Sequence, residues 1–343
     1  IKDDGTIDYR EEPRASCPSA IAYVDELARG MDYQNMGAVN PESPHKAEDV
    51  HLIEVSKKLP YVVLKTPAYG IDPTIRVFDK ALTCEYMRGL RDISTNGVTF
   101  EGQVALLTGA GRGSLAIELG QALLQGGATV IVPTWERNDD FMQLLFKALR
   151  GVYEEYGSKG ARLIMVPVNC SSRGDVEGCV NYIYSELNLD IDYVVPFAAI
   201  PEGGRDIGRI DQISEMAHRM MLTNVLRLLG AIKNTKAERK IETRPAMVIM
   251  PCSPNHGVFG MDGLYSESKM GCESLVNKWQ SEGWSNYLSI CCCKIGWTRS
   301  ALMWQNNIVA QGIEEMGCRT FSTLEQAYNL VGLMHPSMVQ KAA

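Results

Sequence analysis

Gln103-Val-Ala-Leu-Leu-Thr-Gly-Ala-Gly-Arg-Gly-Ser-Leu-Ala116 opens as a short apolar run and closes as the start of a helix-like pattern. Gly109, Gly111 and Gly113 alternate through its centre. Glycine lets a chain turn sharply and lets backbone N–H groups approach a ligand closely. The N-terminus of the helix that follows favours negative charge. A glycine-rich turn between a strand and a helix is the arrangement that cradles a pyrophosphate. Thr108, Gly109, Gly111, Arg112 and Gly113 are therefore candidate cofactor contacts. Ala116 stands where a close helix–strand contact often uses another glycine, and its methyl adds crowding beside the phosphates.

Outward from this turn the chain alternates apolar runs with helix-like stretches. Strands are expected at Gln103–Leu107, Ala128–Val132, Leu163–Val168, Ile191–Phe197, Ala246–Met250 and Leu288–Cys293. Helices are expected up to Gln125 and over Phe141–Tyr156, Val176–Leu187, Ile213–Lys236 and Leu264–Glu282. Each strand is apolar throughout, so both faces are buried, as in a parallel sheet with helices above and below. The fold class expected is α/β, a doubly wound parallel sheet of Rossmann type with an N-terminal accessory segment.

The first 60 residues read differently. They are polar and rich in Pro, Asn and Glu, with one helical stretch near Ala20–Ala28. Residues 59–65 suggest a short strand. Residues 74–94 suggest an amphipathic helix, with Ile75, Phe78, Leu82 and Met87 at helical spacing. Residues 1–95 are thus expected to be an accessory segment leading into a dinucleotide-binding domain over 96–343.

Composition narrows the classes. The 343 residues carry 34 Lys+Arg against 41 Asp+Glu, a formal charge of −7, which argues against a general nucleic-acid binder. No apolar run is long enough to span a membrane. The chain begins at Ile1 with a polar stretch, which is not a signal peptide and suggests a piece of a longer polypeptide. Ten cysteines lack the paired spacing of a zinc site and are expected to be buried thiols in a reducing compartment. No metal is expected.

Ribose specificity is read after the second strand, at Pro133-Thr134-Trp135-Glu136-Arg137. A carboxylate there suits the 2′-hydroxyl of NAD, and an Arg suits the 2′-phosphate of NADP. Both Glu136 and Arg137 are present. Arg112 adds a second cation and tilts the expectation to NADPH.

The chemistry is expected in Ser253-Pro-Asn-His-Gly-Val-Phe-Gly-Met-Asp-Gly-Leu-Tyr265-Ser-Glu-Ser-Lys269. Tyr265 and Lys269 share one helix face. A nearby ammonium is expected to lower the phenol pKa toward working pH. Ser253 follows the fifth strand, and its hydroxyl can hydrogen-bond a carbonyl oxygen at the same place. Tyr61-Val-Val-Leu-Lys65 repeats the Tyr/Lys spacing on an apparent strand before the glycine turn and is read as a chance match. Asn224 has poor helix propensity inside the long helix. It is either a holder of a water that links Lys269 to solvent or an exposed or interfacial residue. Asn255–Met261 and Pro201–Arg205 are expected to line the substrate side, with Phe259 and Met261 open to a packing role instead.

Together these pieces resemble the short-chain dehydrogenase/reductase superfamily. TGAGRGS, VVPFAAIPEGGR, HRMMLTN, RPAMVIMPCSPNHG, DGLYSESK and IGWTR look more closely like the β-ketoacyl reductase domain of the fungal-type fatty acid synthase α subunit, over about residues 96–335. The resemblance implies NADPH-dependent reduction of 3-oxoacyl groups on acyl carrier protein, within a cytoplasmic multienzyme assembly. Carried over, Ser253, Tyr265 and Lys269 match the family triad, Asn224 its fourth member, and Arg137 the Arg after the second strand. Asn169, Ala198, Gly296 and Thr298, with Lys269, complete the expected cofactor-binding set. Ala116, Trp135-Glu136 and Cys291–Lys294 depart from the family pattern and suggest a specialised short-chain synthase supplying a polyketide starter. Two other classes compete: a stand-alone reductase on a small ketone or alcohol, and a non-catalytic scaffold, which would have lost one of the triad.

Overall fold

The computed structural model describes residues 64–68, 72–134, 139–302, 307–315, 319–339 and 341. The expected helix near Ala20–Ala28, Tyr61 of the second Tyr/Lys pair, and the Glu136/Arg137 turn lie outside these residues. The described residues form two compact units. One spans Val98–Ala327; the other joins the described residues before Val98 to those from Tyr328 onward.

In the smaller unit, β1 (Lys65–Ala68) pairs antiparallel with β2 (Asp72–Phe78), and α1 (Lys80–Asn96) follows. The helix expected over 74–94 is therefore wrong in its first part. Ile75 and Val77 alternate outward as strand residues, 48% and 45% exposed, and branched side chains suit that extended backbone. The helix starts only where Asp79 caps it, its Oδ1 accepting from the Leu82 N–H at 2.9 Å. The buried face of α1 carries Cys84, Met87, Leu90 and Ile93. Tyr86 donates to the Asn329 carbonyl at 2.9 Å, and Tyr328 to the Leu90 carbonyl at 2.5 Å, so the C-terminal residues complete this unit.

The larger unit alternates strand and helix: β3 (Val104–Thr108), α2 (Leu115–Gln125), β4 (Thr129–Thr134), α3 (Asp139–Tyr156), β5 (Arg162–Pro167), α4 (Arg173–Ser185) and β6 (Tyr193–Pro196). Then come α5 (Gln212–His218), a π-helical turn (Arg219–Thr223), α6 (Asn224–Glu238), β7 (Ala246–Cys252), α7 (Tyr265–Glu273), α8 (Leu275–Ser281) and β8 (Leu288–Lys294). The six strands are parallel in the order β5-β4-β3-β6-β7-β8. This is the doubly wound sheet expected from the apolar runs. Leu106, Ile131, Val194, Val248 and Ile290 share a core with Val176, Val180 and Ile183 of α4 and with Val225, Leu228 and Ile232 of α6. The order reverses between β3 and β6, and ligands of such sheets bind outside the carboxyl ends of the strands at that point. A small parallel pair, β9 (Trp297–Thr298) and β10 (Thr320–Phe321), follows, with α9 (Asn307–Glu315) before β10. The chain closes with α10 (Thr323–Leu333) and α11 (Pro336–Val339).

Two expected helices are subdivided. The one over Ile213–Lys236 is widened by the π turn, and the one over Leu264–Glu282 breaks at Ser274. The eight described cysteines are all thiols, five of them buried.

At the end of the sheet opposite the strand carboxyl ends, Lys236 is fully buried. Its ammonium donates to Asp190 Oδ1 at 2.5 Å and to the Arg244 carbonyl at 2.9 Å, and Tyr184 donates to the same carboxylate at 2.9 Å. Asp190→Ala strands that ammonium and is expected to cost about 3 kcal/mol in chemical denaturation. An unchanged denaturation midpoint would show that the pair carries no such weight.

Candidate active site

Thr108 ends β3, and its Oγ1 accepts from the Ala198 N–H at 3.0 Å, joining β3 to the loop after β6. Gly109 follows at φ +74. A Cβ there would lie 2.7 Å from Ala198 N and from Phe197 C and O, so only glycine fits. Gly113 also has positive φ, +72, whereas Gly111 would meet no atom within 4 Å. Ser114 caps α2, its Oγ accepting from the Ile117 N–H at 3.2 Å. The turn is thus held by its own hydrogen bonds while its backbone stays open to a ligand. That openness, together with the start of α2, fits a pyrophosphate.

Ser253 emerges directly from β7, buried, and its Oγ accepts from the Asn255 N–H at 3.1 Å. Tyr265 is the first residue of α7, and Lys269 lies one turn on, its Nζ 5.5 Å from the Tyr265 ring centroid. Burial pushes the Tyr265 phenol above its usual range, while a hydrogen bond from the Ser253 hydroxyl pulls the other way. The same burial lowers the Lys269 pKa. Ser253 is the group that exerts the downward pull. A phenol held high stays protonated and can donate through neutral pH. The rate of a reduction that needs this proton is expected to be flat from about pH 6 to about pH 8 and to fall only on the alkaline side. A pH–rate profile declining toward acid within that window would contradict the assignment.

These groups converge on one cleft of about 910 Å³ at the carboxyl ends of the strands. Gly109, Gly111 and Arg112 line one side, and Ser253, Tyr265 and Lys269 another; Gly296 and Thr298 also line it. Gly113 sits just behind, its carbonyl accepting from the Ala301 N–H at 3.0 Å. Among the described residues no carboxylate pairs with Arg112 or Lys269.

Five expected residues lie elsewhere or outside view. Thr108, Ala198 and Asn224 border a smaller adjoining cavity. Asn224 is buried, its Nδ2 donating to the Cys170 carbonyl at 2.8 Å and its Oδ1 accepting from Arg227 at 2.7 Å. Its side chain braces the start of α6 against the loop before α4. It closes the π turn, its N–H bonding the Arg219 carbonyl. Asn169 organises the turn before α4, its Oδ1 accepting from the Ser171 N–H at 3.0 Å and hydroxyl at 2.7 Å. Arg137 lies outside the described residues.

The structure details residues of the two stretches expected to line the substrate side and adds Trp297 to them. Asn255 is buried, its Nδ2 donating to Asp262 Oδ2 at 2.9 Å and its Oδ1 accepting from the Phe259 N–H at 3.3 Å. Trp297 meets Phe259 edge-on, centroids 5.0 Å apart, and both line the cleft. Phe259 is therefore a packed residue that also forms the wall. Glu202 is buried in the same wall. Only its position in the Pro201–Arg205 stretch signalled it.

No protein-family model matches the chain. The fatty acid synthase subunit alpha of Schizosaccharomyces pombe is 42% identical over 384 aligned residues, covering 99% of this chain and 20% of that protein. That of Saccharomyces cerevisiae is 49% identical, covering 77% of this chain and 14% of that protein. A short-chain type dehydrogenase/reductase from Mycobacterium marinum superimposes with a TM-score of 0.57 at 18% identity, over 74% of this chain and 94% of that one. The chain spans about a fifth of the length of the synthase subunits it matches.

Proposed function

From homologues that are segments of fungal fatty acid synthase alpha subunits and a fold of the short-chain dehydrogenase/reductase kind, we propose that this chain is a 3-oxoacyl-[acyl-carrier-protein] reductase using NADPH. It would act on a 3-oxoacyl group carried by the phosphopantetheine of an acyl carrier protein. It would work beside the other domains and subunits of a cytoplasmic synthase. The observation that carries the reading is the convergence of Ser253, Tyr265 and Lys269 with the glycine turn in one cleft.

The backbone of Gly109, Gly111 and Gly113 and the start of α2 would hold the pyrophosphate. Arg112, with Arg137, would hold the 2′-phosphate, and Lys269 the ribose. Bound there, NADPH supplies the hydride that the β-carbon takes up. The Ser253 hydroxyl donates a hydrogen bond to the β-ketone oxygen, polarising it. Tyr265 gives its phenolic proton to that oxygen, so the ketone becomes an alcohol. The buried wall around Lys269 and Ser253 keeps bulk water from competing for these contacts.

The test follows NADPH absorbance with a short 3-oxoacyl pantetheine thioester, with NADH and a simple ketone in parallel. Consumption of NADPH with the thioester, and little with the free ketone, supports the carrier-dependent reading. Equal turnover of the free ketone would favour a stand-alone reductase, and no turnover in a protein that binds NADPH would favour a scaffold. Arg112→Ser is expected to raise the KM for NADPH about tenfold and leave that for NADH unchanged. The specialised short-chain role rests on sequence departures alone; exclusively long-chain products from the full synthase would exclude it.

A further inference from the structure

Glu202 is an acid in an otherwise uncharged stretch, Ile200-Pro-Glu-Gly-Gly204, and is only 3% exposed. Burying such a group is costly unless it is engaged. Its Oε2 accepts a hydrogen bond from the Leu264 N–H at 3.2 Å. Leu264 is the N-cap residue of α7 and makes no side-chain cap of its own. The first N–H groups of a helix have no partner within it, and a carboxylate beside them is favoured by the helix dipole. Glu202 therefore supplies, from a loop about 60 residues away, the bond to the N-cap N–H that the Glu or Gln of a capping box supplies locally. The very next residue is Tyr265.

The other oxygen, Oε1, is buried with no hydrogen-bond partner among the described residues. It rests against Gly263, where a Cβ would lie 2.3 Å from Oε1 and 2.7 Å from Cδ. The absence of a side chain at Gly263 is what admits Glu202. The two loops are joined further by backbone bonds. Gly204 and Arg205 donate to the Met261 carbonyl at 2.8 and 3.2 Å, and Gly263 donates to the Arg205 carbonyl at 3.0 Å. Met261 holds φ +65, a strained conformation for a residue with a Cβ, and its doubly engaged carbonyl keeps it there.

We propose that Glu202 is a positioning residue that clamps the start of α7 and so holds the Tyr265 phenol in register with Ser253. Its kinetic consequence rests on the ketoreductase reading; the clamp itself does not. The test uses the full chain with Glu202→Ala and Glu202→Gln. It measures kcat and KM for the short 3-oxoacyl pantetheine thioester, NADPH affinity, and hydrogen exchange of the amides at 262–268. Glu202→Ala is expected to lower kcat about tenfold or more, with KM and NADPH affinity unchanged, and to speed exchange at Leu264 by a similar factor. Glu202→Gln keeps an acceptor for the Leu264 N–H and is expected to restore both. Unchanged exchange in Glu202→Ala, no rescue by Gln, or joint loss of NADPH binding and turnover overturns the proposal. A wild-type protein that binds NADPH but ignores the thioester overturns the ketoreductase reading instead, and the exchange data still decide the clamp.

Discussion

Tyr265→Phe is expected to lower kcat by about 10²–10⁴-fold while NADPH still binds with wild-type affinity. The substitution removes one oxygen from a ring already packed at the first turn of α7, so the fold loses little. What it removes is the only phenolic proton beside Ser253 among the described residues lining the cleft. General acid help of this kind sets the size of the loss. The ring stays as a wall of the cleft, so KM is expected to change far less than kcat. NADPH titration and steady-state kinetics on the same preparation separate the two. A variant that retained wild-type turnover would remove Tyr265 from the mechanism and leave the cleft without its assigned acid.

Gly109→Ala is the second large effect. Position 109 combines a left-handed backbone, φ +74, with backbone atoms of Phe197 and Ala198 at 2.7 Å from any Cβ. The left-handed conformation alone costs an alanine about 1–2 kcal/mol. The overlap adds to this, because the neighbours are main chain and cannot rotate aside. Relief requires β3 and the loop after β6 to separate, which breaks the Thr108–Ala198 bond and spoils the phosphate turn. NADPH affinity is expected to fall at least about tenfold, together with a lower melting temperature. Gly111→Ala is the control: its φ is not positive and no atom lies within 4 Å of its Cβ, so the fold should tolerate it. Equal behaviour of the two variants in melting would show that the close approach at Gly109 is not limiting.

The candidate site divides in the same way between local and distant causes. Ser253, Tyr265 and Lys269 could be read from the chain because one strand end and one helix turn carry them. Asn224 was noticed for its poor helix propensity, but its partners are a π turn and the carbonyl of Cys170, more than 50 residues away. Trp297 carried no local signal, and Asn255 only its place in the Asn255–Met261 stretch. Each acquires its place through a partner, Phe259 for one and Asp262 for the other.

The alternation of apolar runs and helices determined the parallel sheet, since a strand buried on both faces must be apolar whatever its neighbours. The glycine spacing likewise determined the tight turn after β3, because its cause, backbone freedom, is local. Tertiary structure alone decided that Asp72–Phe78 is a strand, since pairing with Lys65–Ala68 outweighed a helical spacing that covered only four side chains. It alone brought burial, which raises the phenol, and Ser253, which lowers it, to bear on Tyr265. The bond from the Leu264 N–H to Glu202, at the start of α7, is the same kind of fact. Solvent exclusion and long-range hydrogen bonds depend on which segments meet, and no window along the chain contains both partners.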